Sequence, residues 1–242
     1  MLSQVIRPSR AKQDAERPFW ISYADLMTAM MTLCLVAMAA TILAMSHELK
    51  KELTAEEARA QEILGICNDI KLGIRNQPHI TVNCKDNRID FGEAGRFDYM
   101  GYRLRADAEP YLASLVPVIL QVSNSRNGRK WLKQIVIEGY TDTKGPYLYN
   151  LYLSLKRSYW VMCMLADPKR NRSLGLSEKQ IQQVRELFLA GGVSFNDARE
   201  SDYASRRIEL RLHFFTRKER EGSDQTLRPH IVPTQQESCE LQ

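Results

Sequence analysis

A long apolar segment near the N-terminus contains a single acidic side chain. Residues 19–45 read FWISYADLMTAMMTLCLVAMAATILAM, and Asp25 is the only charge among them. As one helix, residues 26–45 are long enough to cross a hydrocarbon core about 30 Å thick. A carboxylate in such a helix costs about 2.5–3.5 kcal/mol on insertion scales, and the apolar neighbours offset it. The sequence therefore predicts one transmembrane helix, over residues 18–46, that carries a functional acid.

Two other interpretations of this segment stay open. Asp25 lies about 10 Å along the axis from Pro18, near enough to the helix N-terminus for the helix dipole to favour an anion at the membrane interface. The small residues Ala37-Met38-Ala39 could form a signal-peptide cleavage site. The apolar run is, however, longer than the core of a signal peptide and contains an acid.

Basic residues around the apolar segment set its expected orientation. Four precede it and two follow it directly: Arg7, Arg10, Lys12 and Arg17, then Lys50 and Lys51. The positive-inside rule predicts a cytoplasmic tail over residues 1–17 and a periplasmic location, across a bacterial inner membrane, for the rest. The net charge of +5 is scattered rather than gathered into an aromatic-interleaved stripe. Nucleic acid is therefore not expected as a partner.

The cysteines are dispersed, without the paired spacing of a zinc site. The chain has five cysteines and four histidines, so no metal or other cofactor is expected. Exported cysteines can pair, and Cys67 with Cys84 is one candidate disulfide. The alternative is a symmetric Cys67–Cys67 bridge between two copies of the chain. Cys163 lies on the apolar face of a predicted helix and is expected to be a buried free thiol.

Residues 47–77 predict a helical linker. The stretch is rich in Glu, Lys, Ala and Leu, and apolar residues recur on an alternating 4-3 spacing. That stripe predicts either a short parallel coiled coil of two copies or an amphipathic helix that packs on another surface. Its members are Leu49, Leu53, Ala60, Ile63, Cys67 and Ile70.

Residues 78–216 predict a compact α/β domain. β-branched and alternating runs predict strands over residues 79–84, 88–91, 133–139 and 207–214. Helical patterns cover residues 106–122, 148–165 and 176–190. This order predicts a mixed sheet with helices packed on one face. Residues 217–242 are polar and predict a disordered tail.

A polar cluster follows the predicted strand over residues 133–139. Asn150, Ser154 and Arg157 are spaced i, i+4 and i+7 and share one helix face, which Asp142 in the preceding loop can reach. An acid beside an arginine can bind a ligand that carries both an ammonium and a carboxylate. A structural Asp–Arg pair that closes a loop is the alternative. The sequence contains no nucleotide-binding or hydrolase motif, so an enzyme is not expected.

Two segments carry a family resemblance. WISYADLMTAMMTLCLV resembles the transmembrane segment of MotB-type stator subunits. The matching residues are Tyr23, Ala24, Asp25, Thr28, Ala29, Met30 and Met31. EGYTDTKGPYLYNLYLSLKRSYWV resembles the peptidoglycan-binding motif of OmpA-like domains, and ASRRIEL resembles the closing strand of those domains.

The resemblance implies roles for particular residues. Asp25 would carry the ion, with Tyr23, Thr28 and Thr32 in support along the ion pathway. In the OmpA-like domain, Asp142 and Arg157 would hold the diaminopimelate of the cell wall, Asn150 would brace the loop, and Arg206 and Arg207 would lie near the ligand.

The resemblance also implies partners. A dimer of the chain would pass through a ring, expected to be pentameric, of a MotA-like subunit, and its anchored domain would hold it to the peptidoglycan while the ring turns. Desolvation disfavours the charged form of Asp25, so protonation would couple to its position. A proton is favoured over sodium because Asp25 is followed by apolar Leu26 and Met27.

Three departures separate the chain from flagellar subunits. Trp20 lies one residue closer to the acid, Ser205 stands where the family has Asn, and residues 169–190 predict an extra helix. The chain is therefore more similar to the MotB-like subunits of the Zorya anti-phage defence system. A flagellar-type subunit, and a purely structural wall anchor in which Asp25 pairs with a neighbouring helix, are the alternatives.

Overall fold

The computed structural model describes residues 17–77, residues 79–221 and Cys239. The predicted cytoplasmic tail lies outside the described residues except for Arg17. Most of the predicted polar tail over residues 217–242 lies outside them as well. The chain divides into two units, one ending at Glu57 and the other beginning at Ala58.

The first helix, α1, runs from Arg17 to Gly73. Good helix formers fill it, and neither Gly nor Pro occurs in the apolar run. The described side chains before Thr54 are exposed. By length and composition, α1 is the one helix among the described residues that could span a membrane, with a mean hydropathy of 2.2 in its apolar part.

The second unit contains the sheet. Its strands are β1 (Thr81–Asn83), β2 (Arg88–Asp90), β3 (Leu132–Tyr140), β4 (Phe188–Ser194) and β5 (Ile208–Phe214). The helices that follow α1 are α2 (Glu109–Ser123), α3 (Arg126–Trp131), α4 (Tyr147–Ala166), α5 (Glu178–Leu187), α6 (Asp202–Ser205) and α7 (Arg217–Glu221). Short 3-10 turns cover Gly92–Gly95, Ala106–Ala108 and Asn171–Ser173.

The strands form one mixed sheet in the order β1-β2-β5-β3-β4. β3 and β4 are parallel, and the other pairs are antiparallel. Ile135 and Ile137 of β3 are fully buried in the core that the helices cover, whereas Glu138, the residue after Ile137, points to the opposite face and pairs with Arg211 at 2.7 Å. This alternation gives the sheet one apolar face and one charged face. The predicted fold class, an apolar N-terminal helix followed by an α/β domain with helices on one face of a mixed sheet, is confirmed.

The predicted helix over residues 176–190 is wrong at its C-terminal end. α5 stops at Leu187, and Phe188–Ser194 is the strand β4. Two glycines in this segment signal a helix end in the sequence. In the structure the second of them, Gly192, allows α4 to pack closely on β4, because a Cβ there would lie 2.6 Å from Ser154 Oγ. The sequence analysis also missed α3.

The end of α1 packs into the core of the second unit. Ile66, Ile70 and Ile74 are buried there, and each contributes roughly 1.5–3 kcal/mol of hydrophobic stabilisation. Cys67 forms a disulfide with Cys84 of the same chain. The C-terminal half of the apolar stripe that was predicted to form a coiled coil therefore packs on the same chain's α/β domain. A symmetric Cys67–Cys67 bridge is incompatible with this arrangement.

A second disulfide corrects the prediction for Cys163. Its thiol is bonded to Cys239, 76 residues further along the chain. The backbone N–H of Cys239 also donates to Asp167 Oδ2 at 3.1 Å, just beyond the end of α4. Cys163 is buried, as its apolar surroundings predicted, but a disulfide partner 76 residues away leaves no local spacing signal.

Candidate functional site

A pocket of about 300 Å³ opens where β3 ends and α4 begins. One wall is the loop after β3, a second is the first half of α4, and a third is the loop around Tyr99. The side chains and backbone that line it belong to Tyr99, Met100, Thr141, Asp142, Lys144, Gly145, Pro146, Tyr149, Asn150, Leu153 and Arg157. The structure thus brings three of the predicted binding residues, Asp142, Asn150 and Arg157, to one pocket.

Asp142 supplies the pocket's acid. Its side chain is almost fully buried, and its two carboxylate oxygens have different partners. Oδ1 accepts the backbone N–H of Lys144 at 3.2 Å, and Oδ2 accepts from Arg206 Nη1 at 2.8 Å. The alternative of a structural ion pair with Arg157 is not observed, because Asp142 pairs with Arg206.

Arg157 is completely buried and is hydrogen-bonded to backbone. Its Nε donates to Gly101 O at 2.9 Å, its Nη1 to Tyr140 O, and its Nη2 to Asp98 O at 3.4 Å. The guanidinium carbon lies 4.7 Å from the centroid of the Phe97 ring. Burial lowers the pKa of Arg157 to about 10, and the charge of Asp142 opposes that shift.

Arg157 therefore joins the two walls of the pocket. Three of its five N–H groups are used on carbonyls of the described residues, and one remains on each terminal nitrogen. Two N–H groups in that arrangement suit a ligand carboxylate. The residue both fixes the loop and retains the capacity to bind.

Asn150 holds the loop after β3 in place. Its Nδ2 donates to Lys144 O at 2.8 Å and approaches Gly145 O and Pro146 O at 3.4 and 3.3 Å. The side chain is 2% exposed. This is the bracing geometry that the resemblance implied for Asn150.

Arg207 does not lie in the pocket. Its guanidinium bonds to Glu209 Oε1 at 2.6 Å and Asp197 Oδ2 at 3.1 Å, and stacks 3.9 Å from the Tyr140 ring centroid. Successive residues of an extended chain point to opposite faces. Arg207 thus joins the charged face with Glu209, while its neighbour Arg206 reaches Asp142. Of the two arginines predicted to lie near the ligand, the structure therefore places Arg206, and not Arg207, beside Asp142.

Thr141 was not among the predicted binding residues, although it belongs to the predicted polar cluster. It is 1% exposed and lines the pocket beside Asp142, and its hydroxyl has no hydrogen-bond partner among the described residues. Buried polar groups are normally paired. A hydroxyl without a protein partner in a pocket wall indicates a position where a ligand could donate or accept.

Asp25 lies in the first unit, about one helical turn before Thr28 and two turns before Thr32. Thr28 Oγ1 donates to the backbone carbonyl of Asp25 at 2.9 Å, and Thr32 Oγ1 donates to Ala29 O at 2.9 Å. The predicted pathway residues Tyr23, Thr28 and Thr32 are exposed along with the acid. Within the described residues, no cluster of His, Cys, Asp or Glu is arranged to hold a metal ion.

The chain is similar to a protein of known name over nearly its whole length. It is 50% identical over 234 residues to the Zorya protein ZorB of Escherichia coli O139:H28 (strain E24377A / ETEC), covering 96% of this chain and 94% of that protein. No protein-family model matches the chain.

Two solved structures are similar to part of the chain. The OmpA-like domain of FopA1 from Francisella tularensis is 21% identical, with a TM-score of 0.35, over 57% of this chain and 82% of that one. The periplasmic domain of Helicobacter pylori MotB is 15% identical, with a TM-score of 0.36, over 58% of this chain and 83% of that one.

Proposed function

This chain belongs to the ZorB family, and we propose that it is the wall-anchored subunit of an ion-driven membrane motor that acts in defence against phage. The observation that carries the proposal is the presence, in one chain, of an apolar helix with a single acid and a pocket suited to an amino-acid group. An acid in a membrane helix is by default functional. A cell-wall anchor gives such a helix a fixed point.

The pocket binds the diaminopimelate group of peptidoglycan. The carboxylate of Asp142 accepts hydrogen bonds from the ligand ammonium. It can do so while paired with Arg206, because each carboxylate oxygen accepts more than one hydrogen bond. The two remaining N–H groups of Arg157 take the ligand carboxylate, and the hydroxyl of Thr141 completes the contacts.

Asp25 carries the ion, and the ion is a proton. Protonation removes the cost of holding a charge in the membrane, and release restores it, so ion passage couples to the position of the helix. Tyr23 precedes Asp25 on the helix, Thr28 and Thr32 follow it, and all three support the pathway. The N-terminus is cytoplasmic, and the second unit is periplasmic.

The moving partner is a ring of MotA-like subunits, five around two copies of this chain. The two copies contribute two Asp25 carboxylates to the ring interior, and the second units anchor both copies to the peptidoglycan. The ring then turns about a stationary axle.

Binding to purified sacculi tests the anchor. Full-length protein in detergent is mixed with sacculi, and the bound fraction is normalised to folded protein. Asp142→Ala removes the ammonium partner and should weaken binding by at least tenfold, since charge-assisted hydrogen bonds are worth about 1.5–3 kcal/mol.

Thr141→Val is the matched variant. It keeps the shape and removes a buried hydroxyl that has no protein partner, so the fold should keep its stability while sacculus binding falls. Full sacculus binding by both Asp142→Ala and Thr141→Val would remove the pocket from the proposal.

A further inference from the structure

Aromatic rings and cations alternate along one flank of α4. Lys156 Nζ lies 4.9 Å from the ring centroid of Tyr152 and 5.0 Å from that of Tyr102. The guanidinium carbon of Arg103 lies 5.7 Å from the Tyr102 centroid and 5.4 Å from that of Trp160. We call these five residues the aromatic–cation ladder. Cations placed over rings at these distances hold both groups in a fixed arrangement.

The ladder continues the wall of the pocket. Tyr149, Leu153, Lys156 and Trp160 are spaced i, i+4, i+7 and i+11 and share one stripe of α4. The first two line the pocket, and the last two belong to the ladder. From Tyr149 to Lys156 the helix advances about 10 Å.

The ladder is open to solvent. Tyr152 is 57% exposed, Arg103 is exposed, and the other members are half-buried. Half-buried rings keep an apolar surface that the C–H faces of sugar rings can cover, and the cations between them suit carboxylates. A glycan substituted with acidic peptides presents both groups together.

We infer that the ladder binds the glycan strand of peptidoglycan, next to the stem peptide that the pocket holds. This inference rests on the proposed function. A stem peptide bound through its diaminopimelate is covalently attached to a glycan strand a few residues away, and three extended residues reach about 10 Å. The strand is therefore delivered to the ladder at a high effective concentration.

The inference is tested with two separated ligands. Glycan chains from which an amidase has removed the peptides, and free stem peptide, are each titrated into full-length protein in detergent. Wild-type protein should bind both. Tyr152→Ala and Lys156→Gln should each weaken binding of the stripped chains about fivefold, the loss of one cation–π or stacking contact. Both variants should keep stem-peptide affinity within about twofold of wild type, because neither residue lines the pocket.

Two controls separate the explanations. Tyr159 is 42% exposed on the same helix but lies outside the ladder, so Tyr159→Ala should bind stripped chains like wild type. An equal loss in Tyr159→Ala, or no binding of stripped chains by wild-type protein, overturns the inference. Asp142→Ala should lose the stem peptide and keep the stripped chains. If wild-type protein binds stripped chains but not the stem peptide, the proposed pocket fails and the ladder stands.

Discussion

Replacing Arg157 by Lys keeps the charge at the pocket and removes the guanidinium geometry. In the structure, one planar group reaches Gly101 O, Asp98 O and Tyr140 O, which belong to two different walls. An ammonium is a point donor on a flexible stem and cannot reach both walls at once. The variant therefore leaves at least one buried carbonyl without a partner, and Tyr140 is the buried residue among the three.

The expected loss of stability follows from these contacts. An unpaired buried carbonyl costs about 1–3 kcal/mol, and the stack on Phe97 contributes about 1 kcal/mol more. The free energy of unfolding should fall by about 2–4 kcal/mol. For a domain of this size, each kcal/mol lowers Tm by about 2–4 °C.

Urea unfolding of full-length protein in detergent, followed by near-ultraviolet circular dichroism, measures this loss. Arg105→Lys is the matched control, because Arg105 is exposed and its substitution should change stability by less than about 0.5 kcal/mol. Sacculus binding per folded molecule should fall as well, since the lysine lacks the two free N–H groups. A variant as stable as wild type would refute the assignment of Arg157 to the loop. A less stable variant with unchanged binding per folded molecule would restrict Arg157 to a structural role.

Three further substitutions test other parts of the molecule. Asp25→Asn should leave expression intact and abolish ion flux in liposomes that also contain the ring subunit. Glu48→Gln, outside the apolar run, should keep wild-type flux, and ion flux through Asp25→Asn would contradict the carrier role. Cys84→Ser should lower the free energy of unfolding by about 3 kcal/mol, because the disulfide joins Cys84 to Cys67 across a sequence separation of 17 and so restricts the unfolded chain. Equal stability, or a disulfide-linked dimer of wild type on non-reducing gels, would contradict the intrachain bridge. Burial acts to raise the pKa of Asp167, but the backbone N–H groups of Cys239, Lys169 and Arg170 lower it overall, so its stabilising effect is present above about pH 4 and lost as the pH falls further. Asp167→Asn should flatten the dependence of unfolding free energy on pH in this range, and an unchanged slope would contradict the assignment.

Features encoded by local periodicity could be predicted from the sequence. The apolar run around Asp25 predicted the long apolar helix, and the i, i+4, i+7 spacing placed Asn150 and Arg157 on one face of α4. Strands β3 and β5 showed their β-branched and alternating patterns directly. These signals lie within one element, so no knowledge of its neighbours is needed to read them.

Features set by contacts between distant segments could not be predicted. Asp142 and Arg206 are 64 residues apart, and only the pairing of β5 with β3 shows that Arg206, rather than Arg207, reaches the acid. β4 was missed because Gly192 reads locally as a helix end, whereas its meaning comes from the close approach of α4. The disulfide partner of Cys163 could not be predicted either, because Cys239 is 76 residues away in the sequence.

In the pocket, some side chains both stabilise the fold and face the ligand, and this determines which substitutions are informative. Arg157 and Asn150 spend most of their donors on backbone carbonyls, so the loops are ordered before a ligand arrives and the ordering cost is met during folding. A preorganised pocket allows a short peptide to bind with few contacts. Substitutions at those two residues must therefore change stability and affinity together. The hydroxyl of Thr141 has no partner among the described residues and the ring of Tyr152 is exposed, so substitutions of these two groups should change binding with little change in stability.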